Sequence, residues 1–333
     1  TRVRSSAASD VYKRQVYGVE KYIERCACSL FMQTYENIEY IFVNDCTPDK
    51  SITVLLQTLE TFPKRKECVR IINHEQNKGL AAARNTAVKC ATGKYVMHVD
   101  SDDYLEIDAV EKAALKACDT NADVVLFDVR HVFLNKVVVT HSVIPNNRTE
   151  YVKRIIEREC AVNMWGGIYK RSLYIQHNVW AIEGLNYGED YAVKPRLIYY
   201  AQKVVYIKES LYNYVHYNSN SYTKVFSEKN ILDQEMAIEI LTNFFSSICD
   251  SEEYKHSLNI AALKVKAELL VVWGLFNGNK RTWKKIVILY PSIPLINVGN
   301  LKYLIILWAS QMNLYFFVRW YSKIGVLVKQ LLK

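Results

Sequence analysis

The stretch Tyr95-Val96-Met97-His98-Val99-Asp100-Ser101-Asp102-Asp103 reads as a short buried strand that ends in three carboxylates within four residues. Val96, Met97 and Val99 supply the apolar run, and Gly93 marks where the chain enters it. Three acids packed at a strand's end repel one another unless a cation sits between them. All-oxygen ligands at that density suit Mg2+ or Mn2+, hard ions that bridge diphosphates. Taken alone, Asp102 or Asp103 would serve equally well to cap a helix starting near Leu105-Glu106-Ile107, with the other acids solvated. The sequence on either side weighs against that plainer reading.

Upstream, Gly79 to Ala91 is an alanine-rich helix, and Val69-Arg70-Ile71-Ile72-Asn73 before it is a strand. Asp49-Lys50-Ser51 opens a helix running through Leu59, because Asp and Ser satisfy the free N–H groups of a helix start. Ile38-Glu39-Tyr40-Ile41-Phe42-Val43 is a strand ending at Asn44-Asp45. Val19 to Met32 is an amphipathic helix with Val19, Ile23, Cys26 and Leu30 at helical spacing. Downstream come a helix over 107–119 and the strand Asp123-Val124-Val125-Leu126-Phe127-Asp128. Strands alternating with helices predict an α/β fold with a doubly wound, mostly parallel sheet. Ligands gather beyond the carboxyl ends of such strands, where Asp45 and Asp100 to Asp103 both fall. Beyond about residue 225 the pattern becomes a helical extension, with long helices over Ile231–Ile248 and Leu258–Phe276 interrupted later by Pro291 and Pro294.

The 333 residues are half hydrophobic, enough for a substantial core and against disorder, and the net charge of +9 is unevenly placed. From Leu269 onward there is no Asp or Glu but nine Lys and Arg, while 1–268 balances at 34 basic and 34 acidic residues. The eight cysteines show no CxxC pair, which favours reduced thiols in a cytosolic protein over disulfides or a zinc site. No apolar secretory segment opens the chain. Residues 1–15 show neither strand nor helix pattern and are expected to be a non-native segment outside the fold, standing where a first strand should feed Val16.

At this point a resemblance is specific. Residues 16 to about 223 resemble the family 2 glycosyltransferases of the GT-A fold. Val43-Asn44-Asp45-Cys46-Thr47-Pro48-Asp49 is similar to the family's Val-Asn-Asp-Gly-Ser-x-Asp segment, and Asn77 to Asn85 matches its Asn-x-Gly-x-x-x-Ala-Arg-Asn segment. Asp100-Ser101-Asp102-Asp103 matches its DxD element and Gly188-Glu189-Asp190 its acidic catalytic motif. The opening loop Val16-Tyr17-Gly18-Val19-Glu20 and the segment Trp165-Gly166-Gly167-Ile168-Tyr169-Lys170-Arg171 also resemble family segments, the latter departing at Gly167 where a lysine is usual. The resemblance implies a GT-A domain over 16–224, with 225–333 as a basic helical extension.

It also implies roles. Tyr17 would stack on a nucleobase and Glu20 would lie in the donor-binding loop. Asp45 would accept from a uracil N–H, and Asp100 would lie near the ribose. Asp102 and Asp103 would hold Mn2+ or Mg2+. Asp190 would act as general base, with Glu189 orienting the acceptor. Each has a plainer counterpart: Tyr17 as packing, Asp45 as a turn residue before Pro48, and Glu189-Asp190 as acids in a helix's first turn. Arg84 reads either as a diphosphate or base contact or as a buried salt bridge to the acids. His216 reads as a further ligand or as a core residue.

The implied activity is metal-dependent, inverting transfer of a sugar from a nucleotide donor, UDP-linked by resemblance, to a glycan or lipid-linked acceptor. In the tail, Tyr303 to Val318 is sixteen uncharged residues. As one helix it would span about 24 Å, short of a roughly 30 Å hydrocarbon core. Its aromatic and basic mixture suits a helix lying at the inner face of the membrane, so peripheral contact is expected through 280–333. Nucleic-acid binding is not expected, since aliphatic residues dilute the cations. A nucleotidyltransferase would want a glycine-rich phosphate loop after its first strand, which Val16–Glu20 is not. A catalytically silent scaffold would not need Asp102, Asp103 and Asp190.

Overall fold

The computed structural model describes residues 10–217 and 228–331, apart from 277, 296, 297 and 299. It divides into two compact units, residues 1–151 with 160–220 and residues 152–159 with 221–333. The first unit begins with strand β1 (Asp10–Val16), helix α1 (Ile23–Phe31), β2 (Ile38–Asn44), α2 (Ser51–Glu60), β3 (Val69–Asn73) and α3 (Gly79–Cys90). Then come β4 (Tyr95–His98), β5 (Tyr104–Leu105), α4 (Ala109–Thr120), β6 (Val124–Val132) and β7 (Val137–Thr140). Helix α5 (Arg148–Ile156) leads to β8 (Gly167–Lys170), α6 (Arg171–Gln176), α7 (Glu189–Tyr200) and β9 (Val204–Val215).

The strands form one sheet in the order β3-β2-β1-β4-β8-β6-β9-β5, with β7 paired to β6. Among the described strands β3, β2, β1, β4, β6 and β9 run one way, while β8, β5 and β7 run the other. Strand β2 shows why both faces are covered. Tyr40 and Phe42 join the core under α1 and α2, whereas Ile41 and Val43 pack against Ala83 and Ala87 of α3. The alanines let α3 lie close to the sheet.

One expectation is corrected at the centre of this sheet. Residues 10–15, expected outside the fold, belong to β1, which is hydrogen-bonded in parallel to β2 on one side and β4 on the other. That pairing uses backbone N–H and C=O groups, which a segment without side-chain alternation still carries. Residues 1–9 lie outside the described residues. A smaller difference follows β1: the chain turns at Gly18 (φ +66°), so α1 starts at Ile23 and not at Val19.

The second unit holds helices α8 (Glu228–Ser246), α9 (Glu252–Leu275), α10 (Lys280–Val287), α11 (Leu301–Gln311) and α12 (Tyr315–Leu331). Helix α9 is its axis, burying Tyr254, Leu270 and Trp273. At Gly274 an added Cβ would stand 2.6 Å from Ser322 Oγ, so α12 crosses α9 there at backbone range. The uncharged run Tyr303–Val318 is two helices, because Asn313 adopts a left-handed conformation (φ 55°) that ends α11. Residues 152–159 also belong to this unit. Glu157 accepts from Ser257 Oγ at 2.6 Å, its carbonyl accepts from Lys264 Nζ at 2.8 Å, and Arg158 pairs with Glu268 at 2.9 Å. Among the described residues no helix is long and apolar enough to cross a membrane.

Candidate active site

The parallel strands deliver the candidate residues at their carboxyl ends: Tyr17 after β1, Asp45 after β2, His74 after β3 and Asp100 to Asp103 after β4. The last turn is braced at every residue. The Tyr212 hydroxyl on β9 accepts from Asp100 N at 3.0 Å and donates to Asp103 Oδ2 at 2.6 Å. Val215 N donates to Asp103 Oδ1 at 2.8 Å, Ser101 Oγ to the Gln15 carbonyl at 2.5 Å, and Arg25 Nη2 to the Asp102 carbonyl at 2.6 Å.

Asp103 is fully buried. Burial, followed by the charges of Asp102 and Asp100, pushes its carboxyl well above the usual range, against the pull of Tyr212 and Val215. It therefore anchors the turn, each of its oxygens accepting from a protein donor on β9. Asp100 and Asp102 remain partly exposed. Among the described residues no three Asp, Glu, His or Cys side chains converge into a ready-made metal cage. Two carboxylates do fit a Mg2+ or Mn2+ ion carried on a diphosphate, which takes one or two protein carboxylates and fills its shell with phosphate oxygens and water.

Asp45 is likewise fully buried. Its Oδ1 contacts His74 Nδ1 at 2.7 Å and accepts from Lys78 N at 2.8 Å, while Oδ2 accepts from Gln15 Nε2 and Gly79 N, each at 2.8 Å. A carboxylate has about four lone-pair sites, so this one has none left for a nucleobase. Burial disfavours its charge, but the donors from Lys78, His74, Gly79 and Gln15 outweigh that and hold its carboxyl below the usual range. Asp45 joins β1, β2, β3 and the start of α3 through these contacts. Glu20 is exposed on the loop after β1. Its Oε2 accepts from Lys50 N at 3.1 Å, and its own N–H donates to Asp49 Oδ2 at 3.0 Å, which pins the loop after β1 to the start of α2. Tyr17, on that pinned loop, is 45% exposed. Its ring is open to a planar ligand.

Arg84 makes the salt bridge to the acids. Its Nη1 donates to Glu189 Oε1 at 2.7 Å and to Asp190 Oδ1, and its Nη2 reaches Asp100 Oδ1 at 3.5 Å. Burial opposes its charge, yet the carboxylates of Asp190, Glu189 and Asp100 raise its pKa overall. One guanidinium thus spans the β4 turn and the start of α7. Helix α7 begins after Gly188 (φ +102°), which puts Glu189 and Asp190 in its first turn, where the free N–H groups favour acids. Gly79, at the start of α3, faces the same approach: an added Cβ would stand 2.5 Å from Asn186 Oδ1.

The two acids differ in what remains open to them. Glu189 is buried, and burial together with the neighbouring Asp190 charge pushes its carboxyl up to about 7, against the lowering effect of Arg84. Asp190 keeps 15% of its side chain exposed. Besides Arg84 it accepts from Met164 N at 2.9 Å, which leaves lone pairs for an incoming hydroxyl. The segment carrying Met164 is held in turn by Lys194 Nζ, which donates to the Asn163 carbonyl at 3.0 Å.

Beside the turn, Trp165 stacks on Tyr212 and Tyr214, with ring centroids 5.3 and 4.8 Å away. His216 stacks on Phe133 at 4.1 Å, and its Nε2 lies 2.8 Å from His131 Nδ1, so it sits in an aromatic cluster. Gly167 explains the missing lysine: a Cβ there would stand 2.6 Å from Leu126 Cδ2 and 2.9 Å from the Val125 carbonyl. All eight cysteines are free thiols. Gln15, Arg25, His74 and Lys194 were not singled out from the sequence. Arg25 and Lys194 look like ordinary helix-surface cations there, and Gln15 falls in the segment expected outside the fold.

The family model described as Glycosyl transferase family 2 matches residues 14–182. The chain is 32% identical over 217 residues to the uncharacterized glycosyltransferase EpsJ of Bacillus subtilis, covering 63% of this chain and 61% of that protein. It is 28% identical over 280 residues to the putative glycosyltransferase EpsH of the same organism, covering 81% of this chain and 79% of that one. Among solved structures it is similar to S. aureus TarS 1–349 in complex with UDP-GlcNAc, at 20% identity and a TM-score of 0.67, covering 95% of this chain and 92% of that one. This last likeness speaks for the fold alone.

Proposed function

The chain belongs to glycosyl transferase family 2, and from that premise we propose that it is an inverting, metal-dependent transferase. It would move a sugar from a nucleotide donor to a hydroxyl of a glycan or lipid-linked acceptor. The observation that carries the reading is the Arg84 bridge, which holds Asp100 of the DxD turn and Asp190 on one guanidinium. The donor's diphosphate and the acceptor's hydroxyl would then meet within one side chain's reach.

Asp190 takes the acceptor proton while the acceptor oxygen bonds to the anomeric carbon. In the same displacement the bond from that carbon to the diphosphate breaks, its electron pair leaves with the nucleoside diphosphate, and the configuration inverts. Asp102 and Asp100 would hold Mn2+ or Mg2+, which when bound offsets charge on the departing diphosphate. Tyr17 supplies the exposed ring for the base, and Arg84 and Met164 N fix the orientation of Asp190.

UDP and UDP-GlcNAc occur in the TarS complexes, so a UDP-linked sugar is the first donor to test. The unit that holds the sheet, β1 included, is the transferase domain in this reading. The basic extension 225–333 keeps the enzyme in the cytoplasm at the inner face of the membrane, near a lipid-linked acceptor.

Calorimetry with UDP, with and without Mn2+, tests the reading. Wild type is expected to bind UDP in a metal-dependent way, Asp102→Ala to lose that dependence, and Asp190→Asn to bind normally. Donor turnover in Asp190→Asn should fall by about 10²–10⁴. Metal-independent binding, or an Asp190→Asn variant with full turnover, would sink the mechanism.

A further inference from the structure

The corner between α11 and α12 carries an unusual set of side chains. Met312, Leu314, Phe316 and Trp320 are all exposed, Phe316 by 80%. A cavity of about 440 Å³ at this corner is lined by Leu314, Phe316 and Phe317 together with Lys280 and Lys284 of α10. Helix α10 turns Trp283 and Ile286 inward and leaves Lys280, Arg281 and Lys284 exposed. No acid of α10, α11 or α12 offsets them, because no Asp or Glu occurs from Leu269 to the end of the chain. Arg319 differs from these cations: it donates to the Gly278 carbonyl at 2.8 Å and lies over Trp273 and Tyr315.

We infer that this corner docks on an anionic lipid bilayer, Phe316 and Leu314 entering the acyl boundary while Lys280 and Lys284 meet lipid phosphates. Aromatic side chains projecting between cations combine the two contributions, apolar burial and attraction to anionic headgroups, that hold proteins at a membrane surface when neither suffices alone. A second copy of the chain is the poorer occupant. A two-fold contact sets the same patch against itself, which would press these lysines together without an acid in the segment to neutralise them. Nucleic acid is poorer still, since the cations are separated by large apolar groups.

The inference deepens the membrane contact of the proposed transferase, but its test reads no turnover, so either can fail without the other. Flotation of the full chain with vesicles of phosphatidylcholine alone, and of phosphatidylcholine mixed with phosphatidylglycerol, measures partitioning. Wild type is expected to float with the mixed vesicles only, and less at high salt. Phe316→Ser with Leu314→Ser, and separately Lys280→Glu with Lys284→Glu, should each lower partitioning by about tenfold or more. Both variants should retain wild-type thermal melts. Equal binding to neutral vesicles, no binding to anionic ones, or folded variants that float like wild type would overturn the inference. So would concentration-dependent dimerisation in light scattering that the variants abolish, since that would make a second copy the occupant.

Discussion

Five carboxylates decide the site, and their surroundings give them different work. Asp45 and Asp103 are buried and turned to protein donors, Asp100 and Asp102 are partly exposed, and Asp190 keeps open lone pairs. Glu189 stands beside them with its carboxyl raised from 4.5 to about 7. A carboxyl raised by folding binds its proton more tightly in the folded chain. Its contribution to stability is complete below the unfolded value and is lost as pH rises through about 7. A shift of that size corresponds to ~3 kcal/mol. Thermal melts between pH 5 and 8 should therefore show wild type losing stability with rising pH relative to Glu189→Gln; parallel curves would refute the raised carboxyl. Carboxyls held low by hydrogen bonds, such as Asp45, act at more acid pH and do not mask the effect. The acids themselves were legible in the sequence as motifs. What each does was not, because a carboxylate's role depends on how many donors reach it, and those donors come from residues up to 112 positions away.

Among elements, β9 fixes the turn after β4, although the two strands are not neighbours in the sheet. The Tyr212 hydroxyl holds both ends of the turn, accepting from Asp100 N and donating to Asp103. Tyr212→Phe leaves a buried carboxyl short of a donor and is expected to cost about 1–3 kcal/mol. It should also weaken Mn2+-dependent UDP binding, since the turn carrying Asp100 and Asp102 loses a brace. Denaturant unfolding and calorimetry check the two effects, and a variant as stable as wild type would remove β9 from this role. Periodicity located most of the elements: β3 runs over Val69–Asn73 as read, and α3 over Gly79–Cys90 ends one residue short of the reading. It failed where side-chain pattern is not what forms the element. Strand β1 is held by backbone pairing on both sides, and the break at Asn313 comes from one left-handed residue inside an uncharged run.

At the scale of the molecule, the helical unit is built from two separate pieces of chain, residues 152–159 and the region from 221 onward. Val152, Ile155 and Ile156 are fully buried, and Glu157 and Arg158 bond to α9. A chain ending at residue 217 should therefore expose these groups and melt at lower temperature or aggregate. A truncated chain that melts like the whole one would show the short piece to be self-sufficient. The interleaving has a consequence for ancestry and for engineering alike. A single crossover between two such genes cannot exchange the tail alone: it would strand one protein's short insert beneath another protein's helices. Chimaeras that trade helical units between relatives would have to transplant both pieces, and natural drift in either would be tolerated only when the other follows.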